Sequence, residues 1–227
     1  MPGFMSGYKN APKYVRGKGY VKTQRYKTSR QQYKNAMKTM NLIAEKKYLP
    51  VDLTGGIDNN NPYLVNLSAV PPGPNPQERE GNKIQPTSLR VNLIVELNNG
   101  LIPGTDPQSD IVRVIILQWD EDESGNPFSV TKPLSNSATP FNVTSAYSQV
   151  AKGTFKILYD KTKNIDFSSK REAEFRTLIP SKKLKAVKFD DGNLKVGQIF
   201  MVVYSKNGIT GKQNRITYSS MLRYTDF

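Results

Sequence analysis

Cysteine and histidine are both absent from the 227 residues. Without thiolate or imidazole, disulfides, Cys/His zinc sites, cysteine nucleophiles and histidine bases are excluded. Tryptophan occurs once, at Trp119. The longest apolar stretch, Ile111 to Trp119, is far shorter than a bilayer and is interrupted by Arg113, so no membrane span is expected. No apolar segment of the secretory kind follows Met1. On that expectation, Asn66-Leu67-Ser68 and Asn142-Val143-Thr144 match the glycosylation pattern by chance. There is no G-x-S-x-G, no phosphate-binding glycine loop and no paired-carboxylate pattern. No Ser, Thr or Lys has an evident activating partner, and the chain is not expected to be an enzyme.

The most localised absence is of acid. The first forty residues hold ten Lys/Arg and no Asp or Glu, which leaves 23 basic and 19 acidic residues for the other 187. Of the formal net charge of +14, the first forty residues therefore carry +10 and the rest +4. The body has the charge of an ordinary domain, and the basicity belongs to the amino-terminal segment.

That segment also has a rhythm. Tyr8, Tyr14, Tyr20, Tyr26 and Tyr33 are spaced by six, six, six and seven residues, with Lys9, Lys13, Arg16, Lys18, Lys22, Arg25, Lys27, Arg30, Lys34 and Lys38 between and after them. So little aliphatic surface and so much like charge predict disorder in isolation. The cations suit phosphates, releasing counterions, and the tyrosine faces suit unpaired bases. These fifteen residues are the candidate nucleic-acid-binding set, for single strands above duplex. The cations are dispersed, so the segment is a poor nuclear-localisation signal.

Residues 1–47 read as this basic arm and residues 48–227 as one folded domain. Ser29-Arg30-Gln31-Gln32 resembles a capping box, and Tyr33, Met37, Met40 and Ala44 follow at helical spacing, predicting a basic helix over about 30–47 that Pro50 terminates. From residue 60 the period becomes two. Leu89, Val91, Leu93, Val95 and Leu97 alternate with mostly polar residues, and 111–119 is apolar on both faces, as a central strand would be. Further strands are expected at about 62–70, 153–160, 172–179, 184–189, 197–206 and 214–224. The connection 121–152 is the longest and has room for a short helix. About eight strands, uneven connections and no alternating helices predict an all-β fold, an antiparallel sandwich or jelly roll.

Three stretches resemble a known family. Arg79-Glu80-Gly81-Asn82-Lys83-Ile84 running into Ser88-Leu89-Arg90-Val91-Asn92-Leu93 is similar to the "R-x-G-x-x-I" lead-in to a long strand. Val112-Arg113-Val114-Ile115-Ile116-Leu117-Gln118-Trp119-Asp120, with Ser124-Gly125-Asn126-Pro127 after it, resembles an "R-hydrophobic run-D … G" strand and turn. Phe155-Lys156-Ile157-Leu158-Tyr159-Asp160-Lys161 resembles an "f-x-hydrophobic-hydrophobic-x-D" strand. The family is that of single jelly-roll capsid proteins of small circular Rep-encoding single-stranded DNA viruses and their satellite-virus-like relatives. The arm departs from the family in being Tyr/Lys-patterned rather than Arg-dense.

The resemblance implies a single eight-stranded antiparallel jelly roll (β-sandwich) assembled into a homo-oligomeric icosahedral shell of sixty copies, arms inward, packaging single-stranded nucleic acid, with DNA preferred over RNA. It also implies a place in the virion and, during assembly, in the host nucleus or cytoplasm. Ten arm charges in about sixty copies amount to roughly 600 cations, enough for several hundred phosphates. The alternative is a cellular nucleic-acid-binding β-domain, ribosomal-like or single-strand-binding, with a basic tail.

Two smaller features complete the reading. Asp120-Glu121-Asp122-Glu123-Ser124-Gly125 opens like a calcium loop, making Asp120 and Asp122 candidate ligands of a structural calcium ion; the twelfth position is Thr131 where a bidentate Glu is expected. The competing reading is an acidic solvent-facing turn. No other cofactor is expected. Lys170-Arg171 and Lys182, Lys183, Lys185 and Lys188 either line a surface facing nucleic acid or guard exposed strands against edge pairing.

Overall fold

The computed structural model describes Gln32 and residues 46–121, 127–135, 141–149, 151, 153–190 and 193–226, with the side chains of 193–195 excepted. The chain divides into a unit of Met1–Ala44 and a unit of Glu45–Phe227, and the ten strands among the described residues belong to the second. They are β1 (Lys46–Ile57), β2 (Tyr63–Asn66), β3 (Lys83–Glu96), β4 (Ser109–Trp119), β5 (Phe155–Asp166), β6 (Glu172–Pro180), β7 (Val187–Asp190), β8 (Asn193–Val196), β9 (Gln198–Ser205) and β10 (Asn214–Asp226).

All strand pairs are antiparallel. One sheet runs β1-β10-β3, with β6 pairing one stretch of β3 (residues 88–96) and β7, followed by β8, pairing its first residues. The other runs β2-β9-β4-β5. The chain is thus a ribbon folded back on itself, with β1 against β10, β2 against β9, β3 against β6 and β4 against β5, and then rolled so that alternate pairs fall in opposite sheets. That order is a jelly roll.

Alternation in sequence becomes burial in space. Leu89, Val91, Leu93 and Val95 of β3 face Val112, Val114 and Ile116 of β4 and Met201 and Val203 of β9 in one core between the sheets. The second apolar face of β4 has its own cover. Ile115, Leu117 and Trp119, with Phe200, Val202 and Tyr204 of β9, pack under Phe128, Leu134, Phe141 and Val143 from the long 121–152 connection. Trp119 meets Phe128 edge-on at 5.4 Å between centroids, and Phe128 stacks on Phe200 at 4.4 Å. The connection is therefore a lid over the second sheet. Among its described residues there is no helix, contrary to the room allowed for one.

Two strands escaped the sequence reading. β1 starts at Lys46, so Lys46 and Lys47 are extended where a helix was expected to end; Gln32 is helical, and the remainder of 30–45 lies outside the described residues. The pairing of Lys46–Ile57 with Asn214–Thr225 along its whole length overrides the local helical pattern. β8 is four residues long, paired with β7 as a short hairpin. Between β8 and β9 the chain passes from one sheet to the other through Gly197 alone. Its φ is +83°, and a Cβ there would lie 2.2 Å from the Ala186 carbonyl oxygen, so only glycine fits.

Candidate nucleic-acid interface

The fifteen arm residues and Asp122 lie outside the described residues. The body's own basic groups are described, and the strands place them unevenly. Lys170 and Arg171 stand exposed just before β6, where the Arg171 guanidinium lies 3.9 Å from the Phe167 ring centroid. Lys182 and Lys183 stand exposed in the 3-10 turn Ser181–Lys183 just after it. The nine residues of β6 between them span about 30 Å at roughly 3.4 Å per residue. The two clusters are thus separate patches at opposite ends of one strand.

The second end is the richer. Lys83 and Lys188 are exposed and directly opposite each other across β3 and β7. Arg90, Arg223 and Lys46 stand exposed on β3, β10 and β1. At the other end of the same sheet, Asp52, Glu174 and Glu172 are interspersed with Arg176 and Arg215, and Arg176 pairs with Glu174. The outward face of this sheet is electrostatically polar, cationic where β1 begins.

Asp120 accepts a hydrogen bond from the Lys185 ammonium, so the first candidate calcium ligand has a cation on it. Among the described residues no three Asp or Glu side chains gather as a metal site would require.

Arg113 of the second family-like stretch and Asp160 of the third meet. Arg113 of β4 donates through Nε and Nη2 to both oxygens of Asp160 on β5, at 3.0 and 2.8 Å. Its Nη1 donates to the carbonyls of Val143 (3.0 Å) and Ser145 (2.7 Å), and the Tyr147 hydroxyl donates to Asp160. One guanidinium thereby fastens the lid to the sheet. Burial works against the charge on Asp160, but hydrogen bonds from Arg113 and Tyr147 and the Arg113 charge outweigh it and hold the carboxyl below its usual range. Burial first, and Asp160 second, push the Tyr147 phenol up to about 12. The arrangement is a structural clamp between lid and sheet.

Arg79, from the first family-like stretch, is also buried. Its Nη1 donates to the Gly81 carbonyl at 2.8 Å, its guanidinium lies 3.9 Å from the Phe189 ring centroid, and its Nε and Nη2 have no hydrogen-bond partner. The glycosylation-like matches are turns: Asn66 Oδ1 accepts from the Ser68 amide and hydroxyl, both at 2.9 Å, and Asn142 Oδ1 accepts from the Thr144 amide and hydroxyl at 3.1 and 2.8 Å. The spacing N-x-S/T served backbone geometry.

No family model and no curated protein matches the chain in sequence. Among solved structures it is similar to a chain of Desmodium yellow mottle tymovirus (8% identity, 81% of this chain and 88% of that one, TM-score 0.39). Others are the infectious bursal disease virus VP2 subviral particle (9%, 79% and 33%, TM-score 0.26) and the full particle of Israeli acute paralysis virus (9%, 82% and 73%, TM-score 0.28). The fold assignment rests on this chain's own strand order and register rather than on likenesses so distant.

Proposed function

We propose that the chain is a viral coat protein: a jelly roll that assembles with copies of itself into a small icosahedral shell, while its basic amino-terminal arm condenses single-stranded genomic nucleic acid. The observation that carries this reading is the segregation of charge, ten cations and no acid in the first forty residues against a near-neutral body. Fold alone assigns no function; a cationic segment joined to a sandwich that assembles with its own copies would supply what packaging requires. The family-like stretches favour single-stranded DNA as cargo and sixty copies as the shell. The expected setting is the virion, with no enzymatic activity, and calcium at Asp120 and Asp122 would be structural.

Assembly is tested by expressing the chain and viewing it by negative-stain microscopy over a series of salt concentrations. Uniform spheres are expected. A product that stays monomeric in every buffer overturns the reading.

A further inference from the structure

The outward face of the β1-β10-β3-β6 sheet holds two grooves of opposite character. One, of about 520 Å³, is lined by Asp52 and Glu174 among neutral residues, with no Lys or Arg. The other, of about 640 Å³, lies where β1 begins and presents Lys46, Tyr48, Thr87, Ser88, Met221 and Arg223, with no Asp or Glu in its lining.

Register explains the second. Tyr48, Arg223 and Ser88 are directly opposite one another on three adjacent strands, and Met221 and Arg90 form the next row. Thr87 is the extra residue of a β-bulge between the Arg223 and Tyr224 pairings, and a bulge re-aims its side chain. Tyr48 and Met221 remain 42% and 36% exposed, diagonal neighbours on the adjacent strands β1 and β10. Lys46, Arg90 and Arg223 form no ion pair among the described residues. Nearby, Lys83 sits opposite Lys188, a like-charge pairing that costs stability until an anion neutralises it.

We propose that this groove is a second nucleic-acid site, on the body itself: a base of a single strand stacks on Tyr48 beside Met221, and Lys46, Arg223 and Arg90 hold the flanking phosphates. The inference rests on the coat-protein reading and adds where the strand touches the shell. Charge selects the occupant, since a polyanion is drawn to this groove and repelled by its acidic neighbour. So does reach. Lys46 lies eight residues beyond Lys38, so the covalent tether limits the arm's last cation to about 28 Å of extended chain from Lys46.

The full-length chain is irradiated with oligo(dT) carrying 5-iodouracil, and cross-linked peptides are mapped by mass spectrometry. Affinity is measured alongside over a salt series up to about 0.5 M, where screening weakens phosphate contacts and leaves stacking. A cross-link on the peptide containing Tyr48 is expected. Tyr48→Ala should bind about tenfold more weakly and Tyr48→Phe, which keeps the stacking face, like the native chain. Arg223→Ser should lower the salt slope by about 0.7. Circular dichroism checks folding, and if Tyr48→Ala does not fold, Arg223→Ser and the cross-link decide. Cross-links confined to residues 1–45, with both variants binding normally, overturn the groove and leave the arm reading standing. A full chain that binds no oligonucleotide at any salt overturns both. Unchanged binding with lost particle formation makes the groove a contact between copies and also overturns the inference.

Discussion

Two buried guanidiniums behave oppositely under substitution. Arg113 is held by both oxygens of Asp160 and two carbonyls, so Arg113→Met or Asp160→Asn leaves partners stranded. Each is expected to cost about 3 kcal/mol in a denaturant melt. Arg79 has two nitrogens without partners and an aromatic ring against its face. Arg79→Met removes a buried charge while keeping the packing, and the melt should be unchanged or shifted upward. The clamp also carries a pH signature. Asp160 titrates below its ordinary 3.8 in the folded chain, so its contribution is present above that value and is lost as pH falls through the lower folded value. Fluorescence of Trp119, under the lid, is expected to change in that acid range, and in Asp160→Asn the change should be absent.

Among the elements, the strands that could be read from sequence are those with a long uninterrupted alternation and one apolar face. β3 is the clearest, because Leu89 to Val95 needed no neighbour to explain them. β4 was legible as central but not as to why: its second face is covered by Phe128, Leu134 and Phe141, and residues that distant carry no periodic signal. β1 was illegible because Pro50, Gly55 and Gly56 interrupt any pattern and its strand form comes wholly from pairing with β10. The groove residues were missed for the same reason, since Tyr48, Ser88 and Arg223 meet only through register. The calcium-like spacing at Asp120 was legible, whereas the Lys185 ammonium that pairs with it lies 65 residues away. Gly197 tests the crossing between sheets. Gly197→Ala combines a positive φ with a clash on Ala186, and a loss of more than about 2 kcal/mol is expected in thermal or denaturant unfolding.

For the molecule as a whole, the rolled ribbon pairs the first strand with the last, so most contacts are distant in sequence and folding should be slow for the chain's size. The charge division points to function: ten cations in the first forty residues and a body at +4. Binding of a single strand by all ten arm cations would give a slope of log affinity against log salt of about −7. The most direct test of that division is the nucleic acid protected from nuclease by purified particles of the native chain and of a full-length variant in which the ten Lys/Arg of residues 1–40 are replaced by Gln. The account predicts that the variant loses most of the protected nucleic acid. Equal protection in the two would contradict it.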